Sequence, residues 1–239
     1  MLQVTPNGPW GKDVHPGMPV SLGEVLAELR ECFAAGATGV HLHVRDAAGA
    51  ETLDPAVVNE TCRRVRELDP TVEIGLTTGA WIVPDLRERV AMIREWEGVD
   101  CATVNLSEDG FERVMAAMTD VGIGIDVGLW APAELPRARG ILPQARRISI
   151  ELDAGEPYFL TGEPAAIAQH INDALDAAGS TCPRLTHGMN EWTWPLVRDA
   201  FRRGHDTRVG FEDSVLLPDG STARSNADLV RAAKELKGQ

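Results

Sequence analysis

The chain has 239 residues, of which 44% are hydrophobic and 25% charged, as is ordinary for a globular protein with a large core. Its formal net charge of −13 comes without a basic stripe, which argues against a nucleic-acid partner. Its four cysteines form no Cys-x-x-Cys pair, which argues against a disulfide framework and a zinc ribbon.

Residues 1–7 contain neither the basic region nor the apolar region of a signal peptide. No stretch approaches the roughly 18 consecutive apolar residues that a transmembrane helix requires. We therefore expect a cytoplasmic protein with no membrane partner.

Short apolar segments alternate along the chain with longer amphipathic segments. The apolar segments predict strands at 2–5, 39–44, 72–76, 101–106, 122–127, 147–152, 184–186 and 207–211. The amphipathic segments predict helices at 22–35, 55–68, 84–96, 108–118, 131–139, 162–178, 191–203 and 225–236. Ser21 and Glu24 form a capping box at the start of the first helix, and Asp54 caps the second.

Eight β/α units with no linker between them predict an α/β protein with a single-domain (β/α)8 TIM barrel spanning residues 1–239. The alternative is a doubly wound open sheet, because alternation alone does not prove that the sheet closes.

Two histidines, His41 and His43, lie two residues apart within the second predicted strand. Alternate side chains of a strand point the same way, so both imidazoles share one face. Neighbouring imidazoles at the end of a buried strand suit adjacent positions on a transition metal. The alternative is a pair of structural histidines that are hydrogen-bonded to the surroundings of the strand.

The barrel interpretation predicts the location of the active site, because barrel enzymes carry it at the carboxyl ends of their strands. The polar residues at those predicted ends are His41, His43, Thr77, Thr78, Asn105, Asp126, His187, Arg208, Glu212 and Asp213. Among them, Thr77, Thr78 and Asn105 are candidates for binding substrate. The two threonines are also ordinary strand formers, and His187 also suits a structural role.

Glu212 is the candidate for a third metal ligand. The second and eighth strands both flank the first strand in a closed barrel, so Glu212 can reach a metal held by His41 and His43. Two histidines and one carboxylate leave a position open for substrate or water, which is typical of catalytic zinc. Iron(II) and manganese accept the same ligands, and we favour zinc.

The sequence resembles the β-keto acid cleavage enzymes in four motifs, which occur in the family's order over nearly the whole chain. These motifs are His41-Leu42-His43-Val44-Arg45-Asp46, Thr77-Thr78-Gly79, Asn105-Leu106-Ser107 and Arg208-Val209-Gly210-Phe211-Glu212-Asp213. The first and last motifs are the more specific ones.

This resemblance implies a TIM barrel, usually in a homotetramer, with one zinc ion held by two histidines and a glutamate. By the resemblance those ligands are His41, His43 and Glu212. The family reaction converts a β-keto acid and acetyl-CoA into acetoacetate and a new acyl-CoA. The resemblance thus implies Zn²⁺ as cofactor, acetyl-CoA as co-substrate, small-molecule partners and a homo-oligomer.

The resemblance also implies roles for further residues. Arg208 and Asp213 match the family's arginine and its catalytic aspartate. Thr77 falls where the family has a small hydroxyl residue. Asn105 falls near a threonine that the family has in its fourth strand. Asp126 falls near a glutamate that the family has in its fifth strand, so Asp126 is a third candidate catalytic residue.

The physical chemistry of the reaction agrees with these assignments. A guanidinium such as Arg208 can pair with a carboxylate, either that of the substrate or that of Asp213. We hypothesise that Asp213, oriented by Arg208, moves the proton during carbon–carbon bond exchange. The alternative function is a metal-dependent barrel hydrolase or aldolase that acts without CoA, and a pure binding protein ranks third.

Overall fold

The structure is a computed structural model that describes residues 1–155 and 160–238. Its strands form one parallel sheet in the order β7-β6-β5-β4-β3-β2-β1-β8. A parallel bridge between Leu185 on β7 and Asp206, just before β8, joins the two ends of this sheet. The sheet is therefore a barrel, as predicted from the alternation, and the open-sheet alternative is wrong.

The strands are β1 (Leu2–Val4), β2 (Gly39–Leu42), β3 (Glu73–Thr77), β4 (Cys101–Asn105), β5 (Gly124–Leu129), β6 (Arg147–Leu152), β7 (Arg184–Gly188) and β8 (Thr207–Val209). The helices are α1 (Leu22–Ala35), α2 (Pro55–Leu68), α3 (Leu86–Ile93), α4 (Phe111–Asp120), α5 (Leu135–Ile141), α6 (Pro164–Ala177), α7 (Thr193–Arg203) and α8 (Asn226–Lys237). Three short 3₁₀ segments lie at Pro132–Glu134, Leu142–Gln144 and Asn190–Trp192.

The predicted caps of the first two helices are confirmed. The Ser21 hydroxyl accepts from the Glu24 amide, while the Glu24 carboxylate accepts from the Ser21 amide at 2.9 Å. Asp54 accepts from the first free amides of α2, and Pro55 opens that helix. These local bonds satisfy donors that would otherwise lack partners within the helix.

The last two strands differ from their predicted bounds in ways that affect the site. β7 continues to Gly188, so His187 lies within the strand rather than after it. β8 ends at Val209, two residues earlier than predicted, so Glu212 and Asp213 lie in a turn beyond the strand. In this turn the amides of Asp213 and Ser214 both donate to the Gly210 carbonyl at 2.9 Å.

The two faces of β2, and of the residues that continue it to Val44, differ in polarity. Val40, Leu42 and Val44 are buried among the apolar residues that the helices cover. His41 and His43 alternate with them and therefore face the barrel interior, where they are 5% and 4% exposed. Among the described residues, no helix is both long and apolar enough to cross a membrane.

Candidate active site

The two histidines and the glutamate predicted to bind metal come together at the carboxyl end of the barrel. One potential ligand atom from each of His41, His43 and Glu212 lies within 4.8 Å of the other two. His43 Nε2 is 3.7 Å from Glu212 Oε1. Three nitrogen and oxygen donors at this spacing can surround one divalent ion.

Glu51 fixes the orientation of the His43 ring. Its Oε1 is 2.6 Å from His43 Nδ1, and its Oε2 accepts from the Trp81 indole at 3.1 Å. With Nδ1 engaged by a carboxylate, Nε2 is the ring nitrogen free to bind a metal. A carboxylate behind a histidine is a recurrent second layer of metal sites.

The other two candidate ligands, Glu212 and His41, are also suited to bind a metal. Glu212 Oε2 is buried and has no hydrogen-bond partner among residues 1–155 and 160–238, although a buried oxygen of this kind normally has one. Burial, followed by the positive charge of Arg208, lowers the pKa of His41 well below its usual value, so its imidazole is neutral near pH 7. A neutral imidazole is the form that binds metals.

Two glycines allow the turn that carries Glu212 to lie against β1 and the loop after it. A Cβ atom on Gly210 would lie 2.0 Å from the Thr5 carbonyl oxygen, which no side chain can do. A Cβ on Gly8 would lie 2.5 Å from Glu212 Cγ, and Gly8 also has a φ of +54°. The backbone therefore approaches Glu212 closely from two sides and fixes where its carboxylate points.

Arg208 links the metal ligands to the predicted catalytic aspartate. Its Nη2 donates to Glu212 Oε1 and to Asp213 Oδ1, both at 2.8 Å, and its Nε lies 3.2 Å from Asp213 Oδ1. All three residues are at most 8% exposed. One buried guanidinium thus holds two carboxylates in place side by side.

Asp213 is kept ionised within this cluster. Burial alone would raise the pKa of its carboxyl, but the Arg208 guanidinium and His187 outweigh burial and hold that pKa to about 2. Its second oxygen, Oδ2, accepts a hydrogen bond from the Thr5 hydroxyl at 2.9 Å. Asp213 is therefore a buried, ionised carboxylate whose orientation is fixed.

The backbone of Asp213 is held as firmly as its side chain. Its carbonyl accepts a 2.7 Å bond from the Asn190 amide, and Asn190 has a left-handed φ of 53°. The Thr193 hydroxyl bonds the Gly188 carbonyl at 2.8 Å and so closes the adjacent turn. A strained residue that bonds a candidate catalytic residue is consistent with a preorganised site.

The three predicted substrate-binding residues lie at the same end of the barrel. Thr77 ends β3 and Asn105 ends β4. The Thr78 hydroxyl, however, donates to the Thr103 carbonyl at 2.7 Å. The Asn105 amide donates to Glu108 at 3.2 Å and accepts from the Trp130 indole at 3.0 Å. Thr78 and Asn105 are thus already engaged in bonds that shape the wall of the barrel.

Asp126 does not lie with the other candidates, so its expected place in the site was wrong. It is the third residue of β5, not a strand-end residue, because the strand begins and ends two residues later than predicted. Its carboxylate bonds the Arg147 guanidinium, which also donates to Glu73 at 2.7 Å. Glu73 and Arg147 are the first residues of their strands, so this cluster lies toward the amino end of the barrel.

Sequence reasoning missed three residues of the site. Thr5 follows β1, and the rule that collected the other strand ends would have included it. Glu51 had no signal, because it reaches His43 only through the antiparallel bridge between Arg45 and Glu51. Glu151 lies within β6, and its burial shows only in three dimensions.

Comparison with known proteins identifies similar sequences along the whole chain. A family model described as beta-keto acid cleavage enzyme matches residues 1–238. A 3-keto-5-aminohexanoate cleavage enzyme from Fusobacterium nucleatum is 27% identical over 238 residues, covering 94% of this chain and 87% of that protein. A 3-dehydrocarnitine:acetyl-CoA trimethylamine transferase from Rhizobium meliloti is 27% identical over 257 residues, covering 90% of this chain and 82% of that protein.

A solved structure has the same fold. The ternary complex of ObcA with a C4-CoA adduct and oxalate matches with a TM-score of 0.73 at 16% identity. The match covers 92% of this chain, and the chain spans 63% of the length of that protein. This likeness supports the barrel fold independently of the sequence motifs.

Proposed function

Because this chain belongs to the β-keto acid cleavage enzyme family, we propose that it exchanges acyl groups between a β-keto acid and acetyl-CoA. The products are acetoacetate and a new acyl-CoA. The observation that carries this proposal is the buried cluster of His41, His43, Glu212, Arg208 and Asp213, in which a candidate metal site adjoins an ionised base.

The names of two similar proteins support the two halves of this reaction. One is named for cleaving a β-keto acid, and the other is named as a transferase that uses acetyl-CoA. Acetyl-CoA as co-substrate is therefore part of the proposal.

His41, His43 and Glu212 would hold a divalent metal, for which we propose zinc. Their donor set, the orphaned Glu212 Oε2 and the carboxylate of Glu51 behind His43 all suit it. When bound, zinc supplies Lewis-acid polarisation of the oxygens beside the scissile bond.

Side chains of the protein, rather than the metal, would transfer the substrate proton. In the proposed reaction Asp213 accepts a proton from the carbon between the keto and carboxylate groups, and this carbon then attacks the acetyl carbonyl of acetyl-CoA and releases the CoA thiolate. The thiolate attacks the original keto carbonyl, the bond from that carbonyl to the central carbon breaks to give the new acyl-CoA, and Asp213 returns the proton to the central carbon of acetoacetate. Arg208 holds the Asp213 carboxylate in position from one side, and the Thr5 hydroxyl does so from the other. Thr77 would contact the substrate at the adjacent strand end.

We further propose a homo-oligomer of two or four chains. Trp10 and Trp81 are 42% and 53% exposed and lie beside the site, since Trp10 donates to the Glu212 carbonyl and Trp81 stacks near His43. A partner chain that covers such large apolar side chains would remove them from water. Light scattering on the purified protein measures this directly.

The test is turnover of a panel of β-keto acids with and without acetyl-CoA. We expect acetoacetate and a new acyl-CoA in equal amounts, and neither product without acetyl-CoA. Cleavage that proceeds equally well without acetyl-CoA would contradict the proposal and favour the hydrolase or aldolase alternative.

A further inference from the structure

Three neighbouring strands each place one ionisable side chain inside the barrel, and the proposed reaction uses only one of the three. They are Glu151 on β6, His187 on β7 and Arg208 on β8. Glu151 and His187 are direct partners in the ladder between their strands, and they are 3% and 0% exposed. Arg208 is the guanidinium that holds the Asp213 carboxylate. This buried row therefore ends on the base of the proposed reaction.

One edge of the His187 ring lies against the pair that Arg208 and Asp213 form. Arg208 Nε donates to His187 Nδ1 at 3.2 Å, and the same Nε lies 3.2 Å from Asp213 Oδ1. His187 Nδ1 is itself 3.5 Å from Asp213 Oδ1. The three atoms thus contact one another, so a rotation of the imidazole would disturb the contact that orients Asp213.

His187 is the partner of Arg208 that belongs to the rigid part of the barrel. The other two acceptors of Arg208 among the described residues, Glu212 and Asp213, both lie in the turn beyond β8, whereas His187 lies within β7. A side chain on a regular strand is held more precisely than one in a loop. Glu212 and Asp213 also share one nitrogen, since Nη2 donates to both at 2.8 Å. His187 is therefore the contact that can keep the guanidinium on Asp213.

Glu151 holds the other edge of the ring, where its Oε2 lies 3.5 Å from His187 Nε2. Burial alone would raise the pKa of the Glu151 carboxyl, but His187 and then Arg208 outweigh burial and lower that pKa, so the group is ionised near pH 7. Nε2 carries a proton both in the imidazole whose Nδ1 accepts from Arg208 and in the imidazolium, so it presents that proton to the carboxylate in either form. An acidic side chain fixes an imidazole in this way in the Ser-His-Asp triad.

We propose that His187, anchored by Glu151, is a positioning residue that holds Arg208 on Asp213 and so fixes the direction of the carboxylate that moves the substrate proton. This inference rests on the proposed function and adds two residues behind its base. It also assigns a separate task to each edge of the ring. The Nδ1 edge positions Arg208 and Asp213, and the Nε2 edge anchors the ring to Glu151.

Two substitutions of His187 separate the two edges. The amide of asparagine reaches the place of Nδ1, whereas the longer glutamine carries its amide to the place of Nε2. We expect kcat to fall by about three- to tenfold in His187→Asn and by about 10²-fold in His187→Gln, because a misplacement of about 1 Å is enough for the larger loss. KM should stay near the wild-type value in both variants. A packing role predicts the opposite order, since glutamine is closer to histidine in volume.

A double-mutant cycle tests the anchor. Glu151→Leu should lower kcat by about three- to tenfold in the wild type but leave it unchanged in His187→Asn, which has already lost the contact to Glu151. Glu151→Gln keeps an acceptor oxygen and should retain most of the wild-type kcat. The control is His205→Gln, because His205 is a partly buried histidine that precedes β8 at the amino end of the barrel. Thermal melting confirms that each variant is folded, and an equal loss from Glu151→Leu in both backgrounds would overturn the anchoring role.

Crystal structures of the two His187 variants separate this proposal from the proposed function. Arg208 Nε should stay 3.2 Å from Asp213 Oδ1 in His187→Asn and move away from it in His187→Gln. If the wild type yields no acetoacetate, the proposed reaction fails, and these structures alone decide the role of His187. If the reaction stands, three results would overturn the positioning role: an unchanged kcat in His187→Gln, a smaller loss in His187→Gln than in His187→Asn, or an Arg208 that keeps its place in His187→Gln.

Discussion

Glu51 and His43 lie on opposite sides of an exposed loop, yet the Glu51 carboxylate is 2.6 Å from His43 Nδ1. We predict that Glu51→Gln lowers the affinity for zinc about 10- to 100-fold, because the ring loses the carboxylate that orients it. Competition with a chelating dye measures this affinity. Glu60→Gln, on the exposed face of α2, is the control. Equal zinc affinity in wild type and Glu51→Gln would show that the contact is only structural.

Asp213→Asn should keep the metal and lose turnover. The amide preserves the shape of the side chain but cannot accept the substrate proton, so we expect kcat to fall about 10²- to 10⁴-fold. Metal content by mass spectrometry and steady-state kinetics are measured on the same sample. The exposed Asp219→Asn variant should match the wild type in both. Near-normal turnover in Asp213→Asn would remove the aspartate from the mechanism.

The cluster around Asp126 is predicted to serve stability rather than catalysis. Arg147→Met removes the buried guanidinium that Asp126 and Glu73 share and leaves them only the more exposed Arg146, and we expect the free energy of unfolding to fall by about 3–5 kcal/mol. Urea denaturation gives this value, with the exposed Arg63→Met as control. At a temperature where Arg147→Met stays folded, its kcat should equal that of the wild type. A large loss of kcat there would return Asp126 to the list of catalytic candidates.

The ionisation of Glu73 should make the free energy of unfolding depend on pH. Burial alone would raise the pKa of its carboxyl, but Arg146 and Arg147 outweigh burial and lower that pKa. Because the folded pKa lies below the unfolded value of about 4.3, the stabilisation is complete above that pH and is lost as pH falls through the folded pKa.

We therefore expect Glu73→Gln to unfold with about 2 kcal/mol less free energy than the wild type at pH 7, and the gap to shrink at about pH 3.5. Urea denaturation at both pH values measures the gap. A gap that is constant with pH would mean that ionisation of Glu73 does not stabilise the fold.

The barrel itself could be predicted from the sequence because hydrophobic periodicity and caps act locally. Each strand–helix unit carries local signals in its sequence, such as the helix caps Ser21 and Asp54. A chain of eight such units can adopt few architectures. The rule that sites lie at the carboxyl ends of strands then predicted that His41, His43, Glu212, Arg208 and Asp213 lie together, and the structure places these five side chains in one cluster.

The predictions that failed depend on the exact position of a residue along its strand, or on contacts between residues that are distant in sequence. An error of two residues in β5 was enough to move Asp126 from the strand end to the ion cluster. The partners Glu51 and Glu151 come from folding in three dimensions, and no local pattern marks them.

We propose above all that the metal site formed by His41, His43 and Glu212 is required for acetyl-CoA-dependent cleavage. The most direct test titrates Zn²⁺ into metal-stripped protein while metal content and acetoacetate production are measured together. We predict that activity rises in proportion to bound zinc, saturates at about one ion per chain, and is absent in His41→Ala but normal in the exposed control His170→Ala. Acetoacetate production that does not depend on bound metal, or that persists in His41→Ala, would contradict this proposal.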